Sequence, residues 1–240
     1  MASDLEPGAA GAALLRPVRH GNAFEETVQR LLATIRLGVL TPGESLPPER
    51  ELAGRLGVSR DTVREAIKSL AGAGYLVSRR GRYGGTFLAE RLPAPSRDGD
   101  AAGRAELDDL LRLREILEVG AARMAAGRSL SPADRDELRS RLADVHAAAP
   151  EDYRRLDSRL HLAIAEAAGC PSLVPLIAAN RMRVNALLDR IPLLARNIAH
   201  SEEQHESIVA AIVAGDPDQA AAAMLDHLAG SAALLHGFLD

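Results

Sequence analysis

The sequence predicts a mainly α-helical protein of two domains: an N-terminal winged helix-turn-helix with a small β-hairpin, and a C-terminal all-helical bundle of about six helices. Three observations predict this. Apolar residues recur at helical spacing along most of the 240 residues. Two short strand-like runs flank a glycine- and arginine-rich tip at 79–85. A segment rich in proline, glycine and charge, 91–104, separates the two patterns and is expected to be a linker.

The first domain begins with three predicted helices, at 24–37, 49–56 and 60–73. Two prolines precede the second helix, and proline is well tolerated in a first helical turn. Gly57 then breaks the helical pattern, and Ser59 is a good N-cap for the third helix. Two short helices joined by a tight turn that contains glycine are typical of a helix-turn-helix.

The hairpin and the bundle complete the prediction. Tyr75–Val77 and Thr86–Leu88 are the expected strands of the wing. Beyond residue 105 the predicted helices are 106–127, 132–148, 151–168, 172–190, 197–214 and 217–238. The domain boundaries that follow are a disordered tail at 1–20, a winged helix-turn-helix domain at 21–90, the linker at 91–104, and a helical domain at 105–240.

Composition excludes several classes of protein. Aromatic residues make up only 2% of the chain, too few for an extended stacking platform along single-stranded nucleic acid. Cys170 is the single cysteine, which excludes an internal disulfide and a thiolate metal cluster and favours the cytoplasm. No stretch approaches the roughly 18 apolar residues of a membrane helix, so we expect no membrane association.

Charge is distributed unevenly along the chain. The formal net charge is −4, but residues 1–103 carry 14 basic and 12 acidic groups, whereas 104–240 carry 15 and 21. The segment 54–91 contains eight basic residues and only three acidic ones. This segment is therefore a candidate surface for a polyanion.

Two sequence stretches carry a specific motif, Leu46-Pro47-Pro48-Glu49-Arg50-Glu51-Leu52-Ala53 and Leu56-Gly57-Val58-Ser59-Arg60-Asp61-Thr62-Val63-Arg64-Glu65-Ala66. They resemble the winged helix-turn-helix of the GntR family of bacterial transcription regulators, over roughly 25–89. The helical remainder is similar to the ligand-binding FCD domain of the FadR subfamily. That similarity is carried by Leu113-Arg114-x-x-Leu117-Glu118, Asp157-x-x-x-His161, Gln204-His205-x-x-Ile208 with Gly215-Asp216, and His227-Leu228.

The third helix would read DNA, because the N-terminal residues of a recognition helix lie nearest the base edges in the major groove. Arg60, Thr62 and Arg64 occupy that end, and we expect at least one of the two arginines to bind a guanine. Arg50 would lie close to a phosphate or a base edge. In the family, residues matching Arg50, Arg60 and Arg64 contact the operator.

The resemblance also implies that the wing reaches the minor groove, which adds Arg80 and Gly81 to the predicted DNA-binding residues. A single domain of this size buries little surface, so a homodimer on a palindromic operator of double-stranded DNA is expected. The alternative is that these arginines are solvent-facing residues of a small helical domain, with Arg64 paired to Asp61 or Glu65.

Polar residues on apolar helix faces mark a second candidate site. Asp157 and His161 point to the same side of one helix, while His205 and His227 each lie on an apolar stripe of another. One divalent cation bound by all four side chains would compensate their burial. Zn²⁺ is the first candidate, and Ni²⁺ and Mn²⁺ are alternatives. Ordinary core histidines beside an i,i+4 pair are the alternative. The resemblance implies the metal site.

Arg114 lies within an apolar stripe, where a cation requires a buried anion. Its partner is either Glu118, one turn further on, or the carboxylate of a small effector. Arg181 and Asn185 are further candidates for effector binding.

The sequence therefore predicts a regulator, specifically a repressor and not an enzyme. A small organic acid bound near the metal would control its affinity for the operator. Two alternatives remain at this point. One is a metal-dependent hydrolase or lyase, in which the metal activates water, and the other is a dimeric DNA-binding protein that senses nothing.

Overall fold

The computed structural model describes residues 15, 17–18, 21–36, 40–79, 81, 84–93 and 104–239. The helices are α1 (Ala23–Arg36), α2 (Glu49–Leu56), α3 (Arg60–Gly72), α4 (Arg104–Ala126), α5 (Pro132–His146), α6 (Tyr153–Ala167), α7 (Leu173–Leu188), α8 (Ala195–Ala214) and α9 (Pro217–Leu239). Two strands, β1 (Leu76–Arg79) and β2 (Gly85–Leu88), follow α3. The predicted fold class, mainly helical with one small hairpin, is confirmed.

The chain divides into two compact units. The first comprises Met1–Asp98 with Leu194–Arg196 and Ala233–Asp240, and the second comprises Gly99–Leu193 with Asn197–Ala232. The first unit contains the helix-turn-helix and the hairpin, and the second contains most of the helical bundle. Most of the predicted linker lies outside the described residues.

Local signals explain the ends of the helices in the helix-turn-helix. Helix α2 ends at Gly57, which adopts the left-handed conformation (φ 68°) and donates its backbone N–H to the carbonyl of Ala53. Ser59 caps α3 by accepting a hydrogen bond from the backbone N–H of Thr62 at 3.0 Å. The interhelical core is built from side chains with no solvent exposure: Val28, Leu32, Leu56, Val63 and Leu70.

The wing pairs β1 and β2 antiparallel, with Leu76 opposite Leu88 and Arg79 opposite Gly85. The segment before α2 adds to this sheet, because Leu46 donates its N–H to the carbonyl of Thr86 at 2.7 Å. Sequence analysis did not predict this additional pairing, since the segment that contains Pro42 and Gly43 carries turn signals only.

The predicted disordered tail at 1–20 is wrong in its last part. Leu15 and Val18 are buried, and Val18 donates its backbone N–H to the carbonyl of Leu56 at 2.9 Å. The end of α2 leaves carbonyls without helical partners, and this segment satisfies one of them. Residues 1–14 lie outside the described part of the chain.

Packing of the second unit depends on apolar faces that are mostly alanine, leucine and isoleucine. Leu138, Leu160, Ile164, Ile177 and Ile208 are among its buried core residues. Helix α4 packs against α6 and α7, and α6 also packs against α5 and α7. None of the helices within the described residues is long and apolar enough to span a membrane.

Candidate functional site

Four predicted metal ligands come together in the second unit. Helix α6 contributes Asp157 and His161, α8 contributes His205, and α9 contributes His227. One potential ligand atom from each lies within 4.8 Å of the other three, and all four residues are buried. The imidazole rings are close neighbours, with centroids 5.4 Å apart for His161 and His205 and 4.4 Å apart for His205 and His227.

The donor set fits a divalent cation because several of its atoms lack a partner. Nε2 of His161 and both ring nitrogens of His205 are buried without a hydrogen bond. Nε2 of His205 lies 3.2 Å from Oδ1 of Asp157, outside hydrogen-bond geometry. Buried polar atoms without partners are costly in an apolar core. Imidazole nitrogens and a carboxylate are ligands that Zn²⁺ and its neighbours in the first transition row accept.

Two arginines and a second carboxylate surround these ligands. Glu118 is 2% exposed and accepts a hydrogen bond from Nε of Arg114 at 3.1 Å. It also contacts Nη1 of Arg181 at 3.3 Å and Nδ1 of His161. The other terminal nitrogen of Arg181, Nη2, donates a hydrogen bond to Oδ2 of Asp157. Two buried cations therefore match two buried carboxylates.

Electrostatics keep both carboxylates charged and favour the neutral forms of His161 and His227. Burial opposes the charged form of Glu118, but His161, Arg114 and Arg181 lower its pKa well below the usual range. Burial likewise opposes ionised Asp157, and Arg181 and His161 more than offset this effect on its pKa. Burial, reinforced by Arg181, lowers the pKa of His161 to about 4. Neutral imidazoles keep the lone pairs that a metal requires.

The three residues predicted to bind an effector lie around this centre. Arg114 donates to Ser231 at 2.7 Å as well as to Glu118, so its buried charge has an internal partner. Arg181 also contacts Oγ of Ser158 at 3.3 Å, and Nδ2 of Asn185 donates to the same hydroxyl at 2.8 Å.

Ser158 and Asn185 face a cavity of about 630 Å³ in the second unit. Its remaining lining residues are Pro150, Glu151, Arg154, Arg155, Asp189, Ile191 and Leu193. Through the hydroxyl of Ser158, this cavity adjoins the guanidinium of Arg181.

Most of the predicted DNA-binding residues are exposed where the structure describes them. Arg50 and Arg60 are exposed, Gly81 has a φ of 109°, and Arg80 lies outside the described residues. Half of the Arg64 side chain is accessible, and it forms ion pairs with Asp61 at 2.8 Å and Glu49 at 3.1 Å.

The Glu49–Arg64 ion pair joins the first turn of α2 to the second turn of α3. The N-terminal parts of these two helices therefore lie close together. Thr62 is half-buried, and its hydroxyl lies 2.8 Å from that of Ser59.

Sequence reasoning missed part of the centre. Glu118 was considered only as a partner for Arg114, yet it contacts His161 and Arg181 as well. Ser158, which joins Arg181 to Asn185, was not considered at all. The Leu-Glu pair at the end of the first bundle motif was the available signal for Glu118, but its neighbours on other helices cannot be read from spacing.

A helix-turn-helix with a wing, followed by a helical domain that encloses a histidine-rich charged centre, defines a DNA-binding transcription regulator. Comparison with known families agrees. Residues 24–88 match the model of "Bacterial regulatory proteins, gntR family", and residues 109–230 match that of the FCD domain. The chain belongs to the GntR family and carries an FCD domain.

Relatives that match most of the chain are also named as regulators. One is the "Putative L-lactate dehydrogenase operon regulatory protein" of Escherichia coli (strain K12), 33% identical over 216 residues that cover 85% of this chain and 83% of that protein. Another is the "HTH-type transcriptional regulator LutR" of Bacillus subtilis (strain 168), 30% identical over 221 residues that cover 86% of this chain and 98% of that protein. The family and these relatives are regulators and not enzymes.

A solved structure of "Streptococcus agalactiae GntR" is 27% identical and aligns with a TM-score of 0.46, covering 87% of this chain and 98% of that one.

Proposed function

We propose that the protein is a homodimeric repressor that binds a palindromic operator and releases it in response to a small carboxylate held beside a divalent metal ion. The observation that carries the proposal is the buried centre of Asp157, His161, His205 and His227. As a regulator of operator DNA, the protein would act in the cytoplasm.

Charge balance supports an anionic effector. Arg114 and Arg181 are already matched by Glu118 and Asp157, so the centre is neutral without a metal. A divalent cation bound there would add two positive charges to a buried site, and an anionic ligand would compensate them. The cavity beside Ser158 and Asn185 offers room for such a ligand. One relative is named for an L-lactate dehydrogenase operon, which makes lactate the first carboxylate to test.

Metal binding is tested by elemental analysis of purified full-length protein after dialysis against Zn²⁺, Ni²⁺ or Mn²⁺. We expect about one ion per chain in the wild type and a strong loss in His161→Ala. His146→Ala is the matched control, because this histidine is partly exposed, 3.7 Å from Glu206 and outside the centre. Equal, negligible metal in all three proteins would rule out the site.

Effector sensing is tested by thermal unfolding of the Zn²⁺-loaded protein with a panel of small carboxylates that begins with lactate. A ligand that binds the folded state raises the melting temperature. Each compound that does so is then added to a gel-shift assay, where a repressor should lose operator affinity. A protein that no carboxylate stabilises would instead be a dimeric DNA-binding protein without a sensory role.

Operator recognition is tested on a duplex that the wild-type protein selects from a random pool. We expect Arg60→Ala and Arg64→Ala to remove most of the preference for this duplex over unrelated DNA, since a bidentate arginine–guanine contact is worth about 1–3 kcal/mol. Arg139→Ala removes an exposed, ion-paired arginine from α5 and serves as the charge-matched control. Undiminished selectivity in both test variants would contradict the assignment.

The homodimer has a candidate interface on α4. This helix buries Arg114 and Glu118 on one side and exposes Leu113, Ile116 and Met124, of which Ile116 is 71% exposed. A row of exposed apolar side chains on a buried-core helix is typical of an interface. We expect wild-type protein to have twice the 25.5 kDa chain mass by light scattering and Ile116→Glu to dissociate. A dimer unaffected by this substitution would place the interface elsewhere.

A further inference from the structure

We propose that Glu118 is a positioning residue of the metal centre: its carboxylate holds the proton of His161 on Nδ1, so that the Nε2 lone pair faces the other ligands. The inference rests on the proposed metal site. It assigns a specific role to a residue outside the four ligands.

The orientation of His161 carries the first step. Its Nδ1 contacts Oε2 of Glu118, while its Nε2 lies on the opposite edge of the ring, 3.7 Å from Oδ1 of Asp157 and without a hydrogen bond. A carboxylate can only accept a hydrogen bond, so Nδ1 must carry the proton. Nε2 of the neutral ring is then the unprotonated nitrogen, and it is the one directed at the centre.

The fixed position of Glu118 carries the second step. Both of its oxygens are engaged, Oε1 by Nε of Arg114 at 3.1 Å and Oε2 by Nη1 of Arg181 at 3.3 Å. The residue is 2% exposed, so water does not compete for these bonds. Two guanidinium groups from α4 and α7 therefore hold one carboxylate against a ring on α6.

Among the described residues, neither of the other two histidines has a carboxylate at its Nδ1. Nδ1 of His227 lies 3.3 Å from the amide oxygen of Gln204 and 3.4 Å from the hydroxyl of Ser201, both neutral groups. Nδ1 of His205 is buried without a hydrogen bond. A carboxylate raises the basicity of a ligating imidazole more than neutral groups do. His161 is therefore the ligand whose orientation and donor strength the protein controls most tightly.

The substitution Glu118→Gln makes this role measurable. Arg114 and Arg181 can only donate, and Nη1 of Arg181 lies 3.4 Å from Oε1 as well as 3.3 Å from Oε2. Both arginines therefore retain an amide oxygen at the Oε1 position, and the NH₂ group of glutamine then faces Nδ1 of His161. The ring must accept that bond at Nδ1 and carry its proton on Nε2, where it blocks metal binding. Glutamine has nearly the same shape as glutamate, yet it should switch His161 to the opposite tautomer.

The experiment combines two readouts on full-length protein. Long-range ¹⁵N–¹H NMR of metal-free protein reports which nitrogen of His161 is protonated, with assignment from a His161→Gln variant. Competition with a chromophoric chelator gives the affinity for Zn²⁺. We expect Nδ1–H in the wild type, Nε2–H in Glu118→Gln, and a 10–100-fold loss of Zn²⁺ affinity in the variant.

Two further variants separate positioning from general structure. Glu115→Gln changes an exposed carboxylate one turn earlier on α4 and should keep wild-type values in both readouts. Glu118→Asp keeps the charge and should retain the Nδ1–H tautomer with weaker Zn²⁺ binding than the wild type; it decides the matter if Glu118→Gln does not fold.

Four results would overturn the inference. Nδ1–H in folded Glu118→Gln would show that the tautomer does not depend on the carboxylate. Zn²⁺ affinity within twofold of the wild type in Glu118→Gln would show that the tautomer of His161 does not matter for the metal. The same affinity in Glu118→Asp would show that the position of the carboxylate does not matter. If neither the wild type nor the variants bind Zn²⁺, the proposed metal site itself is wrong. Tight and equal binding by both would instead leave the metal site in place and refute only the role of Glu118.

Discussion

Replacing Arg181 with methionine tests whether the buried centre depends on charge matching. Arg181 is 3% exposed and contacts both Asp157 and Glu118. In Arg181→Met, Glu118 keeps Arg114 and His161 as partners, whereas Asp157 loses its only guanidinium contact among the described residues. Methionine fills most of the space, so the main effect is one buried carboxylate without a cation.

Removing one partner of a buried ion pair destabilises proteins by about 3–5 kcal/mol, and we expect a loss in this range for metal-free Arg181→Met. Zn²⁺ should recover part of it, because a cation bound to Asp157 substitutes for the missing guanidinium charge. The stabilisation by saturating Zn²⁺ should therefore be larger in the variant than in the wild type.

The assay is urea unfolding, followed by circular dichroism, with chelator or with Zn²⁺. Arg183→Met is the matched control: it lies on the same helix, its side chain is 54% exposed, and its ion pair with Glu106 spans 2.9 Å at the surface. Exposed pairs contribute about 0–1 kcal/mol. If metal-free Arg181→Met unfolds within 1 kcal/mol of the wild type, the buried charges are not matched as described.

Three further results are expected. In metal-free protein, the free energy of unfolding should fall as pH decreases from about 6.5 towards 4, because the unfolded chain binds a proton at His161 that the folded chain, with a pKa of about 4, resists; His161→Gln should flatten this slope in urea titrations, and an unchanged slope would contradict the assignment. Ser131→Ala removes the capping box of α5 and should lower the free energy of unfolding by about 1 kcal/mol in thermal unfolding; an unchanged stability would show that this N-cap does not stabilise the protein. Glu49→Gln frees Arg64 from one of its two ion pairs and should raise affinity for unrelated DNA in gel shifts at low salt, whereas lower affinity would show that the pair positions Arg64 for DNA.

Local sequence patterns determined most of the secondary structure. The helices of the helix-turn-helix and of the bundle follow from apolar spacing, and Ser59 and Ser131 cap helices as their residue types favour. Such signals act over three or four residues, so they can be read directly from the chain. The pairing of Leu46 with Thr86 and the burial of Leu15 depend on distant partners and could not be read in this way.

The centre shows the same division between local and long-range information. Spacing alone placed Asp157 and His161 on one face of a helix, because residues four apart are neighbours on it. His205 and His227, on α8 and α9, joined them only in the tertiary structure. The packing of α4 against α6 and α7 likewise turned Glu118 from a neighbour of Arg114 into a contact of His161 and Arg181. Which polar residues are present was thus decided by the sequence, while their meeting in one buried, charge-matched cluster was decided by tertiary contacts between side chains far apart along the chain.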